Sequence, residues 1–201
     1  MCCRLLADLI NRFKYLACIS VNMTEINGSV LLDFKRFVES TYGDHVLEEL
    51  RNDASEQTME AFKRPILTTK MYNLDSWHEM LHLFREKYGD DALANMARHL
   101  ADRQLHGLFG FMAKFVSIEK LVEVSNSKFS SIYTGGSLTI DKKDDDNMTL
   151  TISGIEMSDD HAYVLQHYLE RLAEICTRRK AECRREKVND KRQDYHVKIK
   201  D

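Results

Sequence analysis

Proline and glycine are scarce in this chain of 201 residues, which holds one proline and eight glycines. Turn-dense β-sandwiches and flexible linkers need more of both, so these classes are excluded and long helices are favoured. An excess of one charge is also lacking, because 29 basic residues stand against 32 acidic ones and the net charge is -3. Such a chain has no overall positive field to attract a phosphate backbone, and we expect no nucleic-acid partner.

Cysteine pairs at metal-binding or disulfide spacing are missing, and all five cysteines lie towards the two ends of the chain. An odd count without a regular framework is typical of a reducing compartment, so we expect a cytoplasmic protein.

No apolar run reaches the ~20 residues of a membrane span. Arg4, Asp8 and Arg12 interrupt the first apolar stretch. We predict an amphipathic helical extension over residues 1–22 and a single domain over residues 23–201.

Apolar residues recur every three or four positions between residues 26 and 122, which is the period of helices with one buried face. The clearest helix is predicted from Asn73 to Tyr88, with Gly89 as its end. The period changes to two in three later stretches, Ser137 to Ile140, Met148 to Ile152 and Tyr195 to Lys200. We predict an α+β fold, in which a helical N-terminal part precedes a small antiparallel sheet with a long helix.

Helix boundaries are predicted from capping residues and from charges that suit the helix dipole. Ser29 is the predicted cap of the first helix of the domain, and Asp159 or Asp160 that of the long helix after the hairpin. The basic segment Arg178 to Arg192 interleaves lysine and arginine with acidic residues. We interpret this segment as the solvated C-terminal end of the long helix.

The segment from Ile26 to Ala54 resembles the start of heme nitric-oxide/oxygen-binding (H-NOX) domains. Those domains begin with a glycine, a helix of aromatic and branched apolar residues, a Tyr-Gly stop and a Val/Glu-Glu-Leu helix, matched here by Gly28, Phe34, Val38, Tyr42, Gly43, Val46, Glu48 and Glu49. The later elements follow in the family's order, so the resemblance covers roughly residues 26 to 200. It implies an H-NOX-like fold around a central ligand cavity and a sensory or regulatory role without catalysis.

Two features of that family are absent from this sequence. H-NOX domains bind the heme iron through a histidine in the helix before the hairpin, whereas here Val122 or a neighbour stands at that position and no histidine lies between His106 and His161. They hold the heme propionates with a Tyr-x-Ser-x-Arg motif, and this chain has no arginine between Arg103 and Arg171. We therefore predict a non-enzymatic domain that binds no heme in the usual way.

A heme-based sensor of nitric oxide or oxygen remains the alternative, with His99 or His106 as the substitute axial ligand. Without heme, the cavity is predicted to be filled by side chains or open to a small apolar ligand. The residues predicted to line it are Phe109, Met112, Phe115 and Val122. As partners we expect a signalling protein, such as a kinase or cyclase-type effector, or a second copy of the chain.

His78, Glu79 and His82 belong to the string His-Glu-Met-Leu-His, which matches the HExxH pattern of zinc hydrolases. In such enzymes the two histidines bind zinc and the glutamate acts as the general base. Here Trp77 and Leu81 belong to the apolar face of the helix, which we expect to be the buried one. No recognisable third zinc ligand follows in the sequence. We expect surface or half-buried histidines, with a zinc hydrolase as the third alternative.

Overall fold

The fold divides into a helical N-terminal half and a C-terminal half built on a sheet. The computed structural model describes residues 24–63, 65–106, 127–144 and 146–200, and of residues 104–106 the backbone alone. The helical half contains β1 (Glu25–Asn27), α1 (Gly28–Tyr42), α2 (Asp44–Asp53), α3 (Glu56–Lys63), β2 (Met71–Asn73) and α4 (Leu74–His106). The second half contains β3 (Ser137–Lys142), β4 (Asn147–Ser153), α5 (Asp159–Thr177), β5 (Lys180–Asn189) and β6 (Arg192–Lys200). This order is the predicted α+β layout.

The entry to α1 is fixed by a two-stranded sheet that the sequence analysis did not predict. β1 pairs antiparallel with β2, and Ile26 lies opposite Tyr72. Asn27, and not Ser29, caps α1, because its side-chain oxygen accepts a hydrogen bond from the backbone N–H of Ser29 at 2.9 Å. Gly28 lies against the segment between α3 and β2, so close that an added Cβ would be 2.2 Å from the carbonyl oxygen of Leu67.

α4 consists of two helical stretches that meet at Gly89, whose φ of 81° and ψ of 178° are not helical. The predicted end of the first stretch is therefore confirmed. Its apolar face is buried as predicted, and Trp77 and Phe84 both make edge-to-face contacts with Phe34 of α1. These aromatic contacts join α1 to α4 and form the centre of the helical half.

The larger sheet has the strand order β3-β4-β6-β5, and every neighbouring pair is antiparallel. One face is apolar and carries Tyr195, Val197 and Ile199, which are buried as the alternation predicts. The long helix α5 packs against β5 and β6. In the described part of the chain, no helix is long and apolar enough to cross a bilayer.

Two predictions about α5 are wrong. Its cap is Ser158, whose hydroxyl accepts a hydrogen bond from the backbone N–H of His161 at 3.2 Å. The segment from Arg178 to Arg192 is not a helix end, because α5 stops at Thr177 and most of this segment forms β5. Charged residues occupy most positions on one face of β5, and Arg185 and Lys187 lie on the other face. Only Ala181 and Cys183 are apolar on that face, so the strand period is hidden.

Candidate functional site

A cavity of about 120 Å³ lies among α1, α4, α5, the larger sheet and residues 128–133. Most of its wall is aliphatic or aromatic, and the polar side chains in it are few. From the helices come Val30, Trp77, Leu100, His161, Val164, Leu165, Tyr168, Leu169 and Leu172, and from the rest of the wall come Lys128, Phe129, Ile132, Tyr133, Leu138, Leu150 and Ile152. Such a wall is typical of a site for a small apolar molecule.

His161 is the central polar group of this wall and is 1% exposed. Its Nε2 lies 2.9 Å from the hydroxyl oxygen of Tyr133, and its Nδ1 lies 3.1 Å from Nε2 of His78. A neutral imidazole has one donor nitrogen and one acceptor nitrogen, so these two hydrogen bonds satisfy the ring completely. Tyr133, His161 and His78 therefore form a hydrogen-bonded chain, which we call the relay, from the cavity wall towards α4.

Burial keeps the relay uncharged. It lowers the pKa of His161 well below its usual value, and the neighbouring His78 lowers it further. Burial also raises the pKa of Tyr133. The pKa of His78 is lowered by burial as well, against the opposing effect of Asp75, Asp160 and Glu156. At neutral pH the relay consists of neutral groups, which suits an apolar cavity.

An ion-pair cluster next to the relay joins α4 to the first turn of α5. Arg85 donates to Asp90 at 2.7 Å and to Asp160 at 2.6 Å, and these bonds raise the pKa of its guanidinium. Nδ1 of His82 lies 3.1 Å from the other carboxylate oxygen of Asp160. Because Asp160 directly precedes His161, this cluster holds the histidine against α4.

The glutamate of the HExxH string caps α3 and does not face an open site. Its two carboxylate oxygens accept hydrogen bonds from the backbone N–H of Ser55 at 2.7 Å and from the Ser55 hydroxyl at 2.6 Å. Burial alone would raise the pKa of Glu79, but hydrogen bonds from Ser55 and Thr58 outweigh it and lower the value. His78 is half-buried and His82 is exposed. Among the described residues, no three histidine, cysteine or acidic side chains are grouped to hold a metal ion.

The other residues predicted for the site lie away from the cavity wall or outside the described residues. His99 is half-buried on α4, with its ring centroid 5.2 Å from that of Phe37, and it is not among the lining residues. His106 ends α4, and its side chain is not described. Outside the described residues lie Phe109, Met112, Phe115 and Val122. The described wall instead contains Tyr133, His161 and Trp77, none of which the sequence analysis assigned to the cavity.

Heme does not fit the described residues of this cavity. Among the described wall residues the one histidine is His161, which already uses both ring nitrogens in hydrogen bonds. Lys128 is the only charged side chain among the described lining residues, and it is exposed, so two buried propionates would have no partner there. The volume of about 120 Å³ is also below the roughly 300 Å³ at which pockets for larger organic ligands begin.

The fold can be compared with known proteins. No protein-family model and no curated protein matches the sequence. Among solved structures, an Fe(II) unliganded H-NOX protein from K. algicida is 15% identical with a TM-score of 0.67, over 88% of this chain and 97% of that one. An H-NOX protein from S. oneidensis in the Fe(II)NO state is 12% identical with a TM-score of 0.64, over 88% of this chain and all of that one. The chain therefore has an H-NOX-like fold, as the sequence predicts.

Proposed function

We propose that this chain, on its H-NOX-like fold, is a non-enzymatic sensory or regulatory domain that takes a small apolar ligand in the place of heme. The observation that carries the proposal is the apolar cavity of about 120 Å³ whose buried histidine is already fully hydrogen-bonded. An axial ligand to iron needs a free ring nitrogen, and a small apolar molecule does not.

Tyr133 connects the cavity to the helical half and supplies a route for the signal. Its backbone bridges to Ile26 of β1, and the next residue, Thr134, exchanges hydrogen bonds with the backbone of Glu25 at 2.8 and 3.0 Å. A ligand that displaces the Tyr133 ring would therefore act on β1 and on the start of α1. We propose that a signalling protein, such as a kinase or cyclase-type effector, or a second copy of the chain reads this change.

The proposal is tested by thermal unfolding with and without benzene. A ligand that binds only the folded state raises its stability by mass action, and about 1 kcal/mol raises the melting temperature of a chain of this size by about 2–4 °C. Val164 lines the cavity, so Val164→Phe and the smaller change Val164→Leu fill part of its volume and should reduce the benzene shift. Val188→Phe, at an exposed position, is the matched control and should keep it. A benzene shift that is absent, or that survives both Val164 variants, would refute the proposal.

A further inference from the structure

We propose that the outer face of the larger sheet is a docking surface for an acidic segment of a partner protein, held by Lys143, Arg184 and Lys198. The surface contains a groove of about 320 Å³, which we call the outer groove, formed by β4, β5, β6 and the turn between β3 and β4. No residue that lines the outer groove also lines the cavity, so this inference goes beyond the proposed function and holds or fails independently of it.

The outer groove lies on the polar face of the sheet. In β6, Tyr195 and Val197 belong to the buried apolar face, and the residues between and after them, His196 and Lys198, point to the other face. Arg184 of β5 is the cross-strand neighbour of His196 and lies on the same face. The side chains of Lys198 and Arg184 are exposed, so a partner can reach them.

The three cations of the outer groove have no anionic partner within the described part of the chain. Lys143, Arg184 and Lys198 form no ion pair and no hydrogen bond through their side chains there. The other two arginines of the larger sheet each bind a carboxylate, since Arg185 pairs with Asp159 and Arg192 with Asp194. The outer groove therefore gathers the basic groups that the fold does not use.

The acidic side chains in the wall of the outer groove are already bound by other groups. Asp144 accepts hydrogen bonds from the side-chain amide of Asn147 at 2.8 Å and from the backbone N–H of Asp146 at 2.9 Å. Glu182 forms an ion pair with Lys200, which is not among the lining residues. Neither carboxylate is paired with a cation of the groove, so these cations can bind carboxylates of a partner.

The strength of exposed ion pairs favours a segment with several carboxylates over a single anion. One exposed ion pair contributes little to binding, because water and salt screen it. Several carboxylates on one chain bind together, since the first contact brings the others close to their partners. A nucleic acid would need a broad positive field, which a chain of net charge -3 lacks.

The spacing of the cations fits an extended segment. Arg184 lies opposite His196, and Lys198 follows His196 by two residues, which makes Arg184 and Lys198 diagonal neighbours about 7–8 Å apart. Alternate side chains of an extended segment point the same way and are separated by about 6.8 Å. Lys143 donates its backbone N–H to Asn147, the cross-strand neighbour of Lys198, and so lies roughly 10 Å from Lys198. An extended segment of about six residues reaches all three cations.

The test measures the fluorescence anisotropy of a labelled peptide of six glutamates mixed with the full chain at low salt. This peptide should bind, added salt should weaken the binding, and a matched peptide of six glutamines should not bind. The backbone amide resonances of Thr149 and Val197, which line the outer groove, should shift when the glutamate peptide is added.

Three variants that each remove one positive charge locate the binding surface. Arg184→Gln and Lys198→Gln should each weaken the glutamate peptide by about two- to fivefold, and the double variant by about five- to twentyfold. Both positions are exposed, so the variants should fold. Lys191→Gln, in the turn between β5 and β6 and outside the lining of the groove, is the matched control and should leave the affinity unchanged.

Several results would overturn the inference. They are no binding of the glutamate peptide, equal binding of the glutamine peptide, and an equal loss of affinity in Arg184→Gln and Lys191→Gln. Inorganic phosphate that shifts the Thr149 and Val197 resonances as strongly as the peptide would assign the groove to a small anion instead. Phosphatidylserine vesicles that bind the unaltered chain and not the double variant, while the peptide does not bind, would assign it to a membrane surface. The benzene measurements on the cavity remain the separate test of the proposed function.

Discussion

His161 makes the stability of the folded protein depend on pH. Burial lowers its pKa well below the value of about 6.5 that a histidine has in an unfolded chain. As the pH falls below about 6.5, the unfolded chain takes up a proton that the folded chain does not, so the free energy of unfolding decreases. Each such histidine contributes up to about 1.4 kcal/mol per pH unit, and His78, whose pKa is also lowered, adds to the effect.

We therefore expect the free energy of unfolding, measured in urea, to decrease from pH 7 to pH 5. His161→Gln should make this decrease shallower, because it removes the buried group that resists protonation. His45→Gln changes an exposed histidine on α2 and serves as the control. Equal pH slopes for the unaltered protein and for His161→Gln would show that His161 is not the cause.

Glu79 is expected to act as a structural cap and not as a catalytic base. Glu79→Ala removes the acceptor for Ser55 at the start of α3 and should lower the free energy of unfolding by about 1 kcal/mol. Chemical denaturation measures this loss, and metal analysis of the same samples tests the zinc alternative. Stoichiometric zinc that disappears in His78→Ala or His82→Ala would contradict this view of the HExxH string.

At the scale of elements, the junction of β1, α1 and β2 depends on the absence of a side chain at residue 28. The space next to Gly28 is taken by the backbone carbonyl of Leu67 and by the ring of Tyr72. Gly28→Ala should therefore destabilise the fold by about 1–3 kcal/mol, as expected for overpacking against a backbone atom. Ser29→Ala, one residue later in α1, should change stability by less than about 0.5 kcal/mol. Similar melting temperatures for both variants would contradict the close approach.

The sequence predicts the elements in which one face is clearly apolar. The first stretch of α4 and the strand β6 are of this kind, because each buries a regular set of apolar side chains. β5 escapes prediction because most of its exposed positions are charged and only Ala181 and Cys183 are apolar on the opposite face. β1 and β2 have three residues each, which is too few to show the two-residue alternation of a strand. Their strand conformation is defined by their pairing with each other, which the sequence does not show.

The site is predicted less well than the fold, because its residues are brought together from distant parts of the chain. His161 is 28 residues from Tyr133 and 83 residues from His78, and no local pattern marks it. The HExxH string has a clear pattern, yet the structure uses Glu79 as a cap and His78 in the relay. What the sequence does show is that no histidine lies between His106 and His161 and no arginine lies between Arg103 and Arg171. The expectation of a site without the usual heme ligand rests on these two gaps and on the resemblance.

At the scale of the whole molecule, the two halves meet at the cavity and at charged contacts between α4 and α5. Arg85 of α4 binds Asp160 at the start of α5. Arg171, later in α5, donates a hydrogen bond to Asp102 of α4 at 2.9 Å. Arg98 reaches Glu170 in the same interface. A ligand in the cavity therefore contacts both halves while these ion pairs keep the helices in register. In the proposed function, this arrangement lets a partner read the occupancy of the cavity.

The central claim is that this H-NOX-like fold holds a small ligand in place of heme. It is tested most directly by the absorption spectrum and iron content of the full chain, purified after expression with heme in excess. We expect no Soret band at a stoichiometric level and no iron, because the described cavity wall offers neither a free imidazole nitrogen nor a buried cation. One heme per chain, lost in His99→Ala or His106→Ala, would contradict it and establish the heme-based gas sensor.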